Sequence, residues 1–128
     1  HRHVRAKQRA KDIMSSPAIT ADSTVNCREA QKLLSRYNIN ALLVAKQSNG
    51  KPDLLGFISR QVIEKALYHA LDEIPISEYM TVELATVGPE AEISEIQGKI
   101  IGNKQRVLPV IDNGEVIGVI VVEVMGVD

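Results

Sequence analysis

Two runs of apolar residues near the C-terminal end, separated by an Asn-Gly dipeptide, form the strongest pattern in the chain. Val107 to Ile111 is a short β-branched run, and Val116 to Val124 is a second one. Asn113-Gly114 between them predicts a β-hairpin, because both turn residues accept a positive φ at little steric cost. The runs are continuous rather than alternating, which predicts strands covered on both faces by helices of the same domain.

The same plan occurs earlier in the chain. Ala41 to Ala45 and Leu54 to Ser59 predict a first hairpin, with a turn four residues longer around Ser48-Asn49-Gly50. A shift of 66 residues aligns segment 12–45 with segment 78–111 without a gap. The identical pairs are Met14 and Met80, Thr20 and Thr86, Glu29 and Glu95, Gln31 and Gln97, Leu42 and Leu108, and Val44 and Val110. We therefore interpret the chain as a tandem duplication.

Each copy predicts the order strand, helix, two strands and helix. In the first copy, Ile19-Thr20 predicts the strand. Asn26, with Glu29 at the third helical position, predicts a capped helix start, and Asn38 predicts a left-handed helix end. Gln61 to Ala70 predicts the second helix, whose inward side chains we expect to be Val62, Ala66 and Leu67.

In the second copy, Ala85-Thr86-Val87 predicts the strand and Gly102-Asn103 predicts the helix end. The expected apolar helix face comprises Ile93, Ile96, Ile100 and Ile101. The closing helix of this copy does not fit before Asp128, so we expect it to be truncated or supplied from outside the chain. The pattern predicts a basic linker or helix at 1–11, a first repeat at 12–71 and a second repeat at 72–128.

The predicted order of strands and helices is that of the α/β (α+β) class, and the composition is that of an ordinary globular protein. The 128 residues are 45% apolar and 24% charged, with a net charge of -1. No apolar run reaches the roughly 18 residues of a membrane span. The single cysteine, Cys27, fits a reducing compartment, so a cytoplasmic location is the default expectation. Because the chain begins with His rather than Met, we expect it to be a piece of a longer protein.

The first eleven residues carry five bases and no acid. The bases are Arg2, Arg5, Lys7, Arg9 and Lys11. Such a run is able to contact nucleic-acid phosphates, but the favoured interpretation is a solvated linker helix without a partner.

Catalytic and metal-binding patterns are absent from the sequence. The histidines are His1, His3 and His69, and no H-x-x-H or C-x-x-C spacing occurs. Cys27 at a helix start could have a lowered pKa, but it aligns with Ile93, which favours a small core side chain. The sequence predicts neither an enzyme nor a required cofactor.

The motifs resemble a tandem pair of cystathionine β-synthase (CBS) domains. The resemblance rests on D-I-M at 12–14 and E-Y-M at 78–80, on L-L-V at 42–44 and L-P-V at 108–110, and on G-F-I-S at 56–59 and G-V-I-V at 118–121. It implies two β-α-β-β-α repeats packed as a pseudo-two-fold pair that often dimerises. It also implies a cleft between the repeats for an adenosine ligand, such as AMP, ADP, ATP or S-adenosylmethionine, whose occupancy is passed to a flanking domain.

The resemblance also implies ligand residues. The family signature is Gly, two apolar residues, Ser or Thr, two variable residues and Asp, in which the hydroxyl meets phosphate and the aspartate meets the ribose hydroxyls. The first copy keeps Gly56 and Ser59 but has Val62 for the aspartate, and the second has Val121 for the hydroxyl residue and Val124 for the aspartate. Valine accepts no hydrogen bond, which puts ribose recognition in question in both copies.

The ligand residues expected from this resemblance fall in both copies. They are Thr20, Asn40, Leu42, Ser59, Arg60 and Val62 in the first copy, and Thr86, Arg106 and Leu108 in the second. Arg60 is the expected counter-charge for a phosphate in the first copy. Arg106 aligns with Asn40 and is either a phosphate contact or an exposed residue that precedes a strand.

The segment Ser59 to Met80 is similar to the CBS pair within multidomain proteins of the poly(A) polymerase and tRNA nucleotidyltransferase family. Two functions follow as alternatives. One is a regulatory module that binds an adenosine ligand and controls an attached domain, such as a nucleotidyltransferase that acts on RNA. The other is a ligand-free scaffold and dimerisation unit. Nucleic-acid contact is expected only through the parent protein or weakly through residues 1–11.

Overall fold

The computed structural model describes residues 8–15, 18–48, 50–103, 105 and 107–121. The helices are α1 (Ala10–Ile13), α2 (Cys27–Tyr37), α3 (Arg60–Tyr68) and α4 (Ile93–Asn103), with a short 3₁₀ helix at Ile76–Glu78. The strands are β1 (Thr20–Asp22), β2 (Ala41–Ser48), β3 (Lys51–Ser59), β4 (Val107–Asp112) and β5 (Glu115–Val121). Among the described residues, no helix is long and apolar enough to cross a membrane.

The chain divides into two compact units, and the segment that begins each repeat belongs to the unit of the other repeat. The first unit is Ile19–Glu83, and the second unit combines the residues before 19 with the residues after 83. The segment around α1 therefore packs with the second hairpin, and the 3₁₀ helix packs with the first hairpin. This division reflects contacts within the fold. The repeat boundaries at 12–71 and 72–128 describe the duplicated sequence pattern instead, and they stay a prediction.

The first unit contains a three-stranded sheet with the order β1-β2-β3. β1 runs parallel to β2, with Thr20 opposite Leu43, and β2 runs antiparallel to β3, with Leu42 opposite Ile58. Helices α2 and α3 cover one face, where the sheet side chains join a common core with the helix side chains. This core contains Ala21, Leu34, Leu42, Val44, Ile58, Ile63 and Ala66.

The first hairpin is longer than the sequence pattern predicts. Ser48 pairs with Lys51, so the connection comprises residues 49 and 50 alone rather than a turn four residues longer than Asn113-Gly114. Gly50 has a φ of 79°, which glycine adopts without a steric penalty. The polar ends of both strands continue the ladder because backbone pairing needs no apolar side chain. Asn49 lies outside the described residues.

Helix α2 has the predicted ends. The Asn26 side chain accepts a hydrogen bond from the Glu29 N–H at 2.9 Å, and Asn38 ends the helix in the left-handed region with a φ of 53°. The prediction for β1 is one residue off, since the strand begins at Thr20 rather than Ile19. Local capping chemistry therefore sets the limits of this helix.

Helix α3 begins at Arg60, and the predicted inward position of Val62 is wrong. Val62 is 38% exposed, whereas its neighbour Ile63 is fully buried together with Ala66. Leu67 packs against the same core, as expected. Ile63, Ala66 and Leu67 follow the i, i+3, i+4 spacing of one helix face, which leaves Val62 on the solvent side.

The second unit has a two-stranded sheet, β4-β5, in place of a three-stranded one. The predicted strand at 85–87 is wrong, because Val87 makes only an isolated parallel bridge to Val110. In that bridge the Val87 N–H donates to the Pro109 carbonyl at 3.0 Å, and the Ile111 N–H donates to the Val87 carbonyl at 2.8 Å. The backbone of Ala85 forms hydrogen bonds with the Gln105 side chain instead of a strand, as described below.

The second hairpin follows the sequence prediction closely. Asn113 and Gly114 have φ angles of 53° and 80°, and four successive positions of β4, residues 107–110, are buried. On α4, Ile96 and Ile100 are buried, but Ile101 is 64% exposed and does not belong to the apolar face. The helix ends at Asn103, within the Gly102-Asn103 dipeptide that the sequence predicts as its end. Val124 and the predicted truncation of the closing helix concern residues 122–128, which lie outside the described residues.

The second unit pairs two bases of the N-terminal segment with acids. Arg9 contacts Glu92 at 3.1 Å, and Lys11 contacts Glu90 at 2.8 Å. The Ala10 N–H donates to the Ala91 carbonyl at 2.9 Å, and Ala10 is fully buried. Arg9 and Lys11 therefore have intramolecular partners, whereas residues 1–7 lie outside the described residues. The predicted contact with nucleic acid stays a prediction.

Candidate functional site

The junction between β3 and α3 carries the hydroxyl of the predicted ligand signature. Ser59 is the last residue of β3 and the N-cap of α3, and its Oγ accepts a hydrogen bond from the Val62 N–H at 3.2 Å. The hydroxyl hydrogen keeps its capacity to donate, because this contact uses the oxygen as an acceptor. A Ser59→Ala variant would therefore lose a helix cap, worth about 1 kcal/mol, together with any ligand contact.

Arg60 and Asn40 meet at this junction. The Arg60 backbone N–H donates to the Asn40 carbonyl at 2.7 Å, and its Nε donates to Asn40 Oδ1 at 3.0 Å. The guanidinium also donates to the Ile39 carbonyl at 2.7 Å, and it lies 3.7 Å from the Glu64 carboxylate. Arg60 therefore ties the α2–β2 loop to the start of α3, a role that the sequence did not reveal.

Thr20 lies on the sheet face opposite helices α2 and α3. Directly paired residues point to the same face, and β1 alternates exposed Thr20, buried Ala21 and exposed Asp22. We call the side chains of Thr20, Asp22, Leu43, Phe57 and Ser59 the far face of the first unit. Thr20 and Ser59 stand on strands separated by β2 and are offset by two residues along the strands, which places their backbones about 12 Å apart.

The other two expected positions of the first unit differ in accessibility. Val62 is exposed at the third position of α3, beside the capped hydroxyl of Ser59. Leu42 is fully buried between the sheet and the helices and has no exposed side-chain surface. The structure thus brings Asn40, Ser59, Arg60 and Val62 together at one end of the sheet. Contact of any of them with a ligand stays a prediction.

In the second unit the expected residues do not form a comparable group. The Thr86 carbonyl accepts a hydrogen bond from Lys99 Nζ at 2.7 Å. Leu108 is fully buried in the core of the unit, opposite Ile120, and Val121 ends β5. Arg106 lies outside the described residues. The described part of this unit therefore offers fewer polar side chains for a ligand than the first unit.

Sequence reasoning missed Gln105, the one buried polar side chain of the described residues. Its Oε1 accepts from the Ala85 N–H at 2.6 Å, and its Nε2 donates to the carbonyls of Ala85 at 3.2 Å and Val107 at 2.8 Å. In the first unit the Leu43 N–H donates to the Ile19 carbonyl, but the corresponding residue here, Pro109, has no N–H for the Ala85 carbonyl, and the Gln105 amide takes its place. One feature of the sequence could have indicated this buried position: the shift of 66 residues aligns Gln105 with apolar Ile39.

Cys27 and the histidines contribute no site chemistry in the described residues. Cys27 is fully buried in the core of the first unit, and this burial raises the pKa of its thiol, opposite to the shift of a reactive cysteine. His69 is exposed at the end of α3 beside Tyr68, while His1 and His3 lie outside the described residues. The part of the chain that the structure describes contains no cluster of three potential metal ligands.

Comparison with known proteins accounts for this arrangement. The CBS domain family matches residues 10–69 and residues 76–123. The solved CBS domain pair of protein MJ0100, in complex with 5′-methylthioadenosine and S-adenosyl-L-methionine, superposes with a TM-score of 0.80 at 32% identity over 93% of both chains.

Two curated relatives are A-adding tRNA nucleotidyltransferases. The chain is 40% identical to the protein of Geobacter sulfurreducens over 111 residues, which cover 87% of the chain and 12% of that protein. It is 30% identical to the protein of Aquifex aeolicus over 115 residues, which cover 89% of the chain and 13% of that protein. The matched region is thus a small part of each longer relative. Because both repeats match across most of the chain, the protein belongs to the CBS domain family as a tandem pair.

Proposed function

We propose that this CBS pair binds an adenosine-type ligand on the first unit and communicates its occupancy to another domain of a longer chain. A CBS pair is a regulatory module without a catalytic fold. The observation that carries the ligand proposal is the 32% identity to a CBS pair that is in complex with two adenosine compounds. Ser59, Asn40 and Arg60 at the β3–α3 junction supply polar groups for such a ligand.

The geometry of the first unit supports binding at the Ser59 end of the far face. Ser59 stands at this end, and Val62 is exposed one turn further along α3. Leu43 in the middle of the far face is only 2% exposed and offers no surface for a base. The ribose of a nucleoside carries hydroxyl groups, which match the polar side chains at the β3–α3 junction. We place the ligand at this junction, beside Ser59 and Val62.

For the attached domain, we propose a nucleotidyltransferase that acts on RNA. The support is the name shared by the relatives from Geobacter and Aquifex, which are much longer than this chain. A ligand controls such a domain only to the extent that it binds one arrangement of the protein more tightly than another. Homodimerisation and a cytoplasmic location are further parts of this proposal.

A ligand-free scaffold is the second candidate, and specific residues favour it. Val62 and Val121 occupy signature positions where the family has Asp and a hydroxyl residue, and neither side chain accepts a hydrogen bond. Loss of a charged acceptor costs about 1.5–3 kcal/mol, which is one to two decades in affinity. A scaffold would retain the packing of both units but show no affinity for adenosine compounds.

The Val62→Asp variant distinguishes these two candidates. Val62 is exposed, so the substitution leaves the core intact, and it restores the acceptor for ribose hydroxyls. We expect 5′-methylthioadenosine to bind about 10- to 100-fold more tightly to this variant, as measured by isothermal titration calorimetry.

Gln61→Asp is the matched control for this experiment. It adds the same charge to the first turn of α3, which has no acidic residue of its own, and both variants should gain about 0.3–1 kcal/mol of stability from the helix dipole. Only the change at position 62 should increase affinity. Equal affinities in the two variants would contradict the proposed ribose position, and an absence of binding in both would favour the scaffold.

A further inference from the structure

We propose that the first unit selects an adenosine ligand without phosphate groups, such as a nucleoside thioether or its sulfonium form, over a nucleotide. This inference rests on the proposed function and narrows its ligand class. A phosphate site needs positive charge and unpaired donors. At the β3–α3 junction, the Arg60 guanidinium and two N-terminal amides of α3 are engaged with protein partners, whereas the Ser59 hydroxyl keeps a donor hydrogen but carries no charge.

The first of these groups is the guanidinium of Arg60. Its Nε and one terminal nitrogen donate to Asn40 Oδ1 and to the Ile39 carbonyl, at 3.0 and 2.7 Å. The other terminal nitrogen faces the Glu64 carboxylate at 3.7 Å, one helical turn along α3. The positive charge is thus compensated by a nearby carboxylate, and the geometry of the side chain is fixed by the α2–β2 loop. Turning Arg60 toward a phosphate would break these contacts.

The second group is the N-terminal amides of α3, which would otherwise attract an anion. The Arg60 N–H donates to the Asn40 carbonyl at 2.7 Å, and the Val62 N–H donates to Ser59 Oγ at 3.2 Å. Two amides of the first turn are therefore already satisfied within the protein. A phosphate would have to displace both the cap and the loop to obtain them.

Isothermal titration of the chain with four ligands tests this inference. The ligands are 5′-methylthioadenosine, S-adenosylmethionine, AMP and ATP, at one ionic strength and without divalent cations. We expect at least one of the two sulfur compounds to bind at least about tenfold more tightly than AMP and ATP. AMP or ATP binding as tightly as the sulfur compounds would overturn the inference and leave the proposed function standing. Binding of none of the four would overturn the proposed function itself.

A charge-neutralising pair of variants tests the assignment to Arg60. Glu64→Gln removes the carboxylate that compensates Arg60, whereas Glu29→Gln removes an exposed carboxylate from α2. We expect Glu64→Gln to increase AMP affinity about two- to fivefold, with no change for 5′-methylthioadenosine. Glu29→Gln should change neither affinity. An unchanged AMP affinity, or an equal change for both ligands, would overturn the role of the Arg60–Glu64 pair.

Discussion

Replacing Gly56 with alanine is expected to destabilise the first unit by about 3 kcal/mol. A Cβ at position 56 would overlap the carbonyl oxygen of Thr81. This carbonyl accepts from the Phe57 N–H at 3.0 Å, and the Thr81 N–H donates to the Phe57 carbonyl at 2.8 Å. The obstruction is backbone rather than a flexible side chain, so the added methyl group has to break this pairing. Urea denaturation followed by circular dichroism measures the loss.

Gly98→Ala is the control for this variant. Gly98 lies within α4, where an added Cβ meets no atom within 4 Å, so alanine should stabilise the protein by about 0.5–1 kcal/mol. The two Gly→Ala changes are thus expected to have opposite signs. Similar unfolding midpoints for the two variants would show that the segment at Thr81 does not lie against Gly56 as the structure has it.

The Gln105→Leu variant should have the second large effect, a loss of roughly 2–4 kcal/mol. Leucine fills most of the volume but leaves the Ala85 N–H and the carbonyls of Ala85 and Val107 without their amide partner. Each buried group that loses its partner costs about 1–3 kcal/mol, although partial access to water reduces the sum. The free energy of unfolding from urea titration gives the value.

Gln61→Leu provides the matched comparison, because Gln61 is exposed on α3. The same substitution there should change stability by less than about 0.5 kcal/mol. If Gln105→Leu were equally mild, the amide would not be the partner of Ala85. Hydrogen exchange at the Ala85 amide gives a second readout, since its protection should fall in the Gln105 variant alone.

Local chemistry made much of the fold predictable from the sequence. Asn113-Gly114 determines its hairpin through positive φ angles, and Asn26 and Asn38 set the ends of α2 through a cap and a left-handed residue. These features depend on a few adjacent residues, so sequence reasoning reaches them. The sequence did not determine which face of α3 is buried, because Val62 and Ile63 are adjacent and both apolar. Only packing in the folded unit makes Ile63 the buried one of the two.

Long-range contacts account for the features that were not predicted. The Ser15 N–H donates to the Val119 carbonyl at 2.8 Å, which places the N-terminal segment against the second hairpin. Gly118 permits this contact, since a Cβ there would lie 2.8 Å from the Ser15 carbonyl oxygen. Gly56 has the same relation to Thr81, so the family glycine has a packing role in both units. Similarity between motifs does not reveal which segment packs against which sheet.

The candidate site was predictable in part. Ser59, Asn40 and Arg60 do lie together, as the resemblance implied. The engagement of Arg60 with Ile39 and Glu64 depends on side-chain geometry and could not be predicted from spacing. The sequence therefore predicted polar residues that meet at the β3–α3 junction, and the structure shows that Arg60 already has protein partners there.

A thermal-shift titration of the chain with 5′-methylthioadenosine tests the central claim, that the CBS pair binds an adenosine-type ligand. A ligand at about a hundred times its dissociation constant adds about 2.7 kcal/mol of stability. For a domain of this size, the gain corresponds to a rise in melting temperature on the order of 10 °C. We predict such a rise, saturating with ligand concentration. An unchanged melting temperature with this compound, with S-adenosylmethionine and with AMP would contradict the claim and favour the scaffold.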